Sequence, residues 1–169
     1  MSAARRRCTR WRREAGQCPC AVSEEVAAVY DALQGKFGAL NAKDIVLGST
    51  IYANKPGDGS AREQAASCQR VLGGAANLAR EYATKRYRSN LINWGMLPFL
   101  APSAEDFQVG DYLFLPQVRD RVLDGAPTQA SIVRGGKIVG EVCLRLGALT
   151  DDERQILLDG CLINFYRKH

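Results

Sequence analysis

From Val22 the apolar positions Val22, Val26, Val29, Tyr30, Leu33 and Phe37 recur every three or four residues, which lines them along one face of a helix. Ser23 stands where a capping residue belongs, so the spacing predicts an amphipathic helix to about Lys36. The repeat then changes. Residues 44–53, DIVLGSTIYA, are a short β-branched and apolar run that reads as a buried strand, and NKPGDGS at 54–60 reads as a loop. A second helix is predicted from Ala61 to about Leu72, stopped by Gly73-Gly74. The stretch 75–95 has helical propensity throughout but is bracketed by glycines, and its periodicity does not decide between helix and strand. GDYLFLPQV (110–118), TQASIVRG (128–135) and KIVGEVCLRL (137–146) read as strands, the last two joined by a hairpin at Arg134-Gly135-Gly136-Lys137. Thr150-Asp151-Asp152-Glu153 is a capping box that opens a helix to about Asp159, with a further turn after Gly160. Strands and helices interleave without a fixed repeat, which gives an α/β class.

Composition narrows the chemistry. A chain of 169 residues, 46% of them hydrophobic, is long enough for one domain with its own core, and it contains no run of 18 apolar residues to cross a bilayer. The net charge of +5 is local: residues 1–20 carry six Arg against Glu14, whereas residues 21–169 carry 17 basic and 17 acidic groups. The body therefore has no overall bias toward phosphate backbones, and a nucleic-acid partner is not expected of it. We read residues 1–20 as an Arg-rich, disordered extension and 21–169 as the folded domain. The single histidine, His169, argues against a Ser-His-Asp triad, a Cys-His dyad or a two-His zinc site. Cysteines at 8, 18, 20, 68, 143 and 161 show no Cys-x-x-Cys spacing. They read as free thiols of a reducing, cytoplasmic compartment, with Cys68, Cys143 and Cys161 in the core, and no metal site is expected on this chain.

The loop Pro56-Gly57-Asp58-Gly59-Ser60-Ala61-Arg62-Glu63 runs from a predicted strand into a helix N-terminus, where backbone N–H groups favour an anion. Gly57 and Gly59 let a ligand approach the backbone, Ser60 offers a hydroxyl, and Arg62 offers a planar fork for a carboxylate. A plainer reading stands beside it: Ser60 and Glu63 have the spacing of a capping box, with Arg62 solvated.

The run from Gly57 to Phe99 resembles the swivel-domain signature of the aconitase and isopropylmalate isomerase superfamily, written G-x-G-S-S-R-E-x-A, L-G-G, R-x-N-x-x-x-x-G-x-L-P. Gly57, Gly59, Ser60, Arg62, Glu63 and Ala65 match the first block, Leu72-Gly73-Gly74 the second, and Arg88, Asn90, Gly95, Leu97 and Pro98 the third. The wording is closer to the aconitase-like hydratase branch. The resemblance implies a swivelling β/β/α domain, with a mixed sheet or barrel-like strands flanked by helices, and makes 75–82 a strand and 84–94 a helix. Tyr87 and Trp94 are then packing residues rather than ligand stackers, and Arg86 and Arg88 either face the partner domain or, as the default, are solvated charges. It also implies a hydro-lyase acting on a small hydroxy-carboxylic acid, whose 4Fe-4S cluster is held by three cysteines of a large subunit or domain that this chain lacks. Ser60 falls on the family's catalytic serine, the base that exchanges the proton α to a substrate carboxylate. Arg62 falls on a carboxylate-binding arginine, with Gly59 and the Ala61 backbone N–H beside the substrate. Ala61 departs from the family's second serine and removes one hydroxyl. Two other readings remain open: an inactive isolated fragment, or a non-catalytic binding module with an Arg-rich nucleic-acid tail.

Overall fold

Between Ser49 and Leu100 the chain alternates strand and helix, and the parallel pairing that this forces organises the first half of the domain. The computed structural model describes residues 24–38, 40–41, 44–101 and 107–168. The Arg-rich segment with Cys8, Cys18 and Cys20, the expected cap Ser23, and His169 lie outside them. Helix α1 (Glu24–Phe37) is followed by β1 (Ser49–Ala53), α2 (Arg62–Val71), β2 (Gly74–Ala79), α3 (Lys85–Asn93) and β3 (Leu97–Leu100). Strands β1, β2 and β3 form a parallel sheet in that order, with Ala53 opposite Ala79 and Leu78 opposite Phe99. The strand expected at 75–82 is present but starts one residue earlier and ends at Ala79, and the helix expected at 84–94 is present with one residue trimmed from each end.

The second half is antiparallel. Strands β4 (Tyr112–Phe114), β5 (Thr128–Arg134) and β6 (Lys137–Leu144) form a sheet in sequence order, interrupted by α4 (Val118–Asp124) and followed by α5 (Asp151–Asp159) and α6 (Leu162–Lys168). The β5–β6 hairpin turns through Gly135 and Gly136, both at positive φ (55° and 73°), as a tight two-residue turn requires. Asp111 and Arg134 brace β4 against β5 with two hydrogen bonds of 2.7 and 2.8 Å. The expected mixture of strand directions is therefore separated into two sheets. They meet at a bridge in which Leu100 and Arg145 exchange backbone hydrogen bonds of 2.6 and 3.0 Å.

Three apolar clusters hold these layers. Leu78, Phe99, Ile132, Val142, Leu144 and Ile156 belong to the largest, in which strands of both sheets meet α5. Ala66, Tyr87, Leu91 and Met96 tie α2 and α3 together, and Trp94 packs on them from the side. Val29 and Leu33 of α1 pack with Val133 of β5, as the helical repeat predicts. Full burial of side chains as large as Phe99 or Leu91 contributes about 1.5–3 kcal/mol each.

Several expectations are corrected. The strand expected over 44–53 is confined to its last five residues, because β2 begins opposite Ser49 and leaves Val46 and Leu47 85% and 47% exposed. The strand expected over 110–118 ends at Phe114: Pro116 cannot donate to a ladder, Gln117 takes a left-handed φ of 51°, and Val118 starts α4. Of the thiols placed in the core, Cys161 is buried, Cys143 half-buried, and Cys68 exposed on α2.

Gly95 closes the packing of α3 on the last helices. Its φ is +69°, and a Cβ there falls 1.7 Å from the Gly160 carbonyl oxygen. Gly59 has no atom within 4 Å of such a Cβ and lacks a positive φ. Gly95→Ala is therefore expected to lower stability by about 3 kcal/mol, and Gly59→Ala by less than about 0.5 kcal/mol, in denaturant titrations of the two variants.

Candidate active site

The C-terminal ends of β1 and β2 lie side by side, so the loops that leave them must run together. Beyond the last pair, Ala53 and Ala79, the ladder continues irregularly: Glu81 N–H donates to Asn54 O (3.1 Å) and Ala83 N–H to Pro56 O (3.0 Å). The third rung comes from a side chain, the Thr84 hydroxyl donating to Gly57 O at 3.0 Å. Gly57 has a φ of +94°, and a Cβ on it falls 2.5 Å from the Tyr87 ring, so the loop lies flat on α3 only because residue 57 is glycine.

Arg62, in the first turn of α2, folds back over this loop. Its Nε donates to Gly57 O at 3.0 Å and one terminal nitrogen to Asp58 O at 3.3 Å. A guanidinium has five N–H groups, so three remain for another acceptor. Ser60 and Gly59 are exposed at the loop tip, and Ala61 is exposed beside them. The N-cap of α2 is Ala61, and no side chain caps the helix. The capping-box reading of Ser60 and Glu63 is thereby overturned: the helix begins one residue later than the spacing suggests, and the Ser60 hydroxyl has no hydrogen-bond partner among the described residues. Arg62 is not simply solvated either; it is half-buried and straps its own loop.

Beneath the loop lies a polar cluster. Asn77 Nδ2 donates to the Tyr87 hydroxyl at 3.0 Å, Gln69 bonds the Asn77 side chain, and the Tyr82 hydroxyl donates to the carbonyls of Asn77 and Phe99, each at 3.2 Å. Burial pushes the Tyr82 phenol well above its usual 10.0, and burial likewise raises Tyr87 against the opposing bond from Asn77. Gln69 Oε1 is buried without a partner among the described residues.

Sequence reasoning placed Ser60, Arg62, Gly59 and Ala61 on one loop, and the structure brings them together. It did not find Thr84, whose N-cap bond from Tyr87 N–H (3.2 Å) is a readable signal ahead of Lys85-Arg86. Arg88, expected as a solvated charge, is corrected. It donates to the carbonyls of Leu146 and Ala148 at 3.1 and 2.7 Å and lies 3.9 Å from Glu153, clamping α3 to the chain ahead of α5. Tyr87 is a packing residue as expected, with the added task of seating Gly57.

A parallel β-loop-α unit that presents a hydroxyl and uncapped helix amides beyond its strand ends, joined to an antiparallel sheet, defines a mixed α/β domain with an exposed loop at a helix N-terminus. The sequence pattern of the Aconitase C-terminal domain matches residues 17–104, more than half of the chain, and the protein belongs to that family as its swivel domain. It is 38% identical over 79 residues to aconitate hydratase A of Mycobacterium avium, a match covering 47% of this chain and 8% of that protein. It is 28% identical over 129 residues to the homoaconitase small subunit of Thermus thermophilus, covering 76% of this chain and 70% of the subunit. Its fold is similar to the crystal structure of the 3-isopropylmalate dehydratase (leuD) of Methanocaldococcus jannaschii, with a TM-score of 0.54 and 27% identity over 75% of this chain and 68% of that one. No helix among the described residues is long and apolar enough to cross a membrane.

The raised Tyr82 phenol gives a pH signature with a definite sign. The unfolded chain releases this proton near the ordinary value while the folded chain holds it, so its stabilising contribution is complete below about pH 10 and is lost as pH rises further. Tyr82→Phe is expected to melt at a lower temperature than the parent at neutral pH, having lost the one O–H proton shared between the Asn77 and Phe99 carbonyls, but with a shallower decline between about pH 10 and 12. Parallel alkaline melting curves check both.

Proposed function

We propose that this chain is the swivel component of a hydro-lyase of the aconitase and isopropylmalate isomerase type, acting on a small hydroxy-carboxylic acid. The observation that carries the reading is the exposed Ser60 hydroxyl on a loop pinned from both sides. Arg62 with three uncommitted N–H groups and the uncapped amides of α2 lie beside it. Gly59 adds support: neither backbone conformation nor packing within the described chain demands glycine there, whereas a ligand lying against the backbone does.

In this reading Arg62 and the helix N-terminus receive the substrate carboxylate, and the Ala61 N–H supplies the donor that remains where the family's second serine is absent. Ser60 exchanges the proton on the carbon α to that carboxylate. A helix N-terminus contributes about 0.3–1 kcal/mol to an adjacent anion, and one pKa unit is about 1.4 kcal/mol. The loop alone therefore leaves a serine hydroxyl far from neutrality. Ser60 becomes an effective base only when closure against a partner excludes water and adds donors.

The described residues hold no group of three or more His, Cys, Asp or Glu arranged to bind a metal, and Cys68, Cys143 and Cys161 are dispersed over surface and core. The 4Fe-4S cluster implied by the family does not fit this chain's described residues. We assign it to a large subunit or domain. The homoaconitase relative is itself a small subunit. In line with it, this chain works as one part of a two-part enzyme, with residues 21–169 as the swivel domain.

Reconstitution with a cognate cluster-bearing subunit tests the reading. Turnover of a small hydroxy-carboxylic acid is expected, with kcat lowered about 100-fold or more by Ser60→Ala, the range of a positioned general base, and a raised KM for Arg62→Lys. Unchanged kcat in Ser60→Ala would remove the serine from its assigned role.

A further inference from the structure

We infer that Thr84 is a positioning residue for the Ser60 loop, an inference that rests on the hydro-lyase reading of that loop. Its hydroxyl occupies the place where two jobs meet. As the N-cap of α3 it accepts the Tyr87 backbone N–H at 3.2 Å, and as a donor it holds Gly57 O at 3.0 Å. A hydroxyl is suited to both at once, since it carries one proton to give and lone pairs to receive.

The geometry explains why a side chain is needed. Asn54 O and Pro56 O are satisfied by the backbone N–H groups of Glu81 and Ala83. At Gly57 that supply ends, because Lys85 begins α3 and the backbone turns away into the helix. Without the Thr84 hydroxyl, Gly57 O retains only Arg62, which comes from the same loop-and-helix unit and so fixes nothing relative to α3. Thr84 is thus the polar tie from α3 to residue 57, three positions ahead of Ser60, and the Tyr87 ring beneath Gly57 supplies the apolar half of the seat. Freed of that tie, the loop still carries its serine and arginine, but their direction toward a substrate is no longer set.

Three substitutions separate the two bonds. Thr84→Ser keeps both; Thr84→Asp keeps the helix cap but has no proton for Gly57 O; Thr84→Val loses both. Measurements on the full chain alone read loop and helix separately. In Thr84→Asp the 15N order parameters of Gly57–Ser60 are expected to fall from about 0.85 to about 0.6. The Ala83 amide is expected to exchange about five- to tenfold faster, the effect of one lost hydrogen bond, while the Tyr87 amide stays ordered. Thr84→Val loosens both regions, and Thr84→Ser neither. In the assembled enzyme Thr84→Asp is expected to lower kcat by about the same factor and to raise KM, since Arg62 shifts with the loop, and Thr84→Ser to restore both. An ordered loop in Thr84→Asp overturns the inference, as does a loosened loop with parental kcat. Absence of turnover in the parental assembly overturns the hydro-lyase reading instead, and the order parameters then still decide whether Thr84 holds the loop.

Discussion

The Gly57 carbonyl is the fixed point of this domain's functional end. It accepts hydrogen bonds from Arg62 on one side and Thr84 on the other, each at 3.0 Å, while its Cα rests on the Tyr87 ring. A carbonyl has two lone pairs, and here both are used by groups from different helices. The loop between β1 and α2 is therefore not an independent excursion. Its position follows from the register of β1 against β2, which places Asn54, Pro56 and Gly57 opposite Glu81, Ala83 and Thr84.

The same arrangement gives Arg62 a double character. Two of its donors serve the loop's own carbonyls, so the guanidinium is held in place, and three N–H groups are left over for another acceptor. Pre-orientation matters because an exposed arginine otherwise loses side-chain freedom on binding. Behind the loop, Asn77, Gln69, Tyr82 and Tyr87 form a polar layer under the apolar α2–α3 contact. Such a layer is costly unless its groups are paired, and its bonds tie β2 to α2, to α3 and to the neighbouring β3 at Phe99.

Much of this was legible in the amino-acid order. The 3.6-residue repeat located α1, the Gly-Gly pair located the β5–β6 turn, and Thr150 with Glu153 forms the expected reciprocal capping box at α5. The candidate loop was legible because glycine, serine and arginine are concentrated there. What escaped depends on partners distant in sequence. Val46 and Leu47 are apolar enough for a strand, but strand formation needs a neighbour, and β2 starts too late to supply one. Arg88 is indistinguishable from a solvated cation until the carbonyls of Leu146 and Ala148, some 60 residues on, are brought to it. Ser60 satisfied the local rule for a cap; the ties on Gly57 and Asp58 draw the chain past it, and α2 starts after Ala61.

In the proposed reading the pinned, exposed loop has its chemistry completed by a partner. In this reading Ser60 and Arg62 face one substrate from a loop whose seat on α3 is retained during closure. The structure of the chain bound to a cluster-bearing partner and a hydroxy-carboxylate inhibitor tests this most directly. It should place the Ser60 hydroxyl within hydrogen-bonding reach of the inhibitor's α-carbon substituents and Arg62 on its carboxylate, with Gly57 still held by Thr84. An inhibitor bound away from residues 57–62, with Ser60 left in solvent, would contradict it.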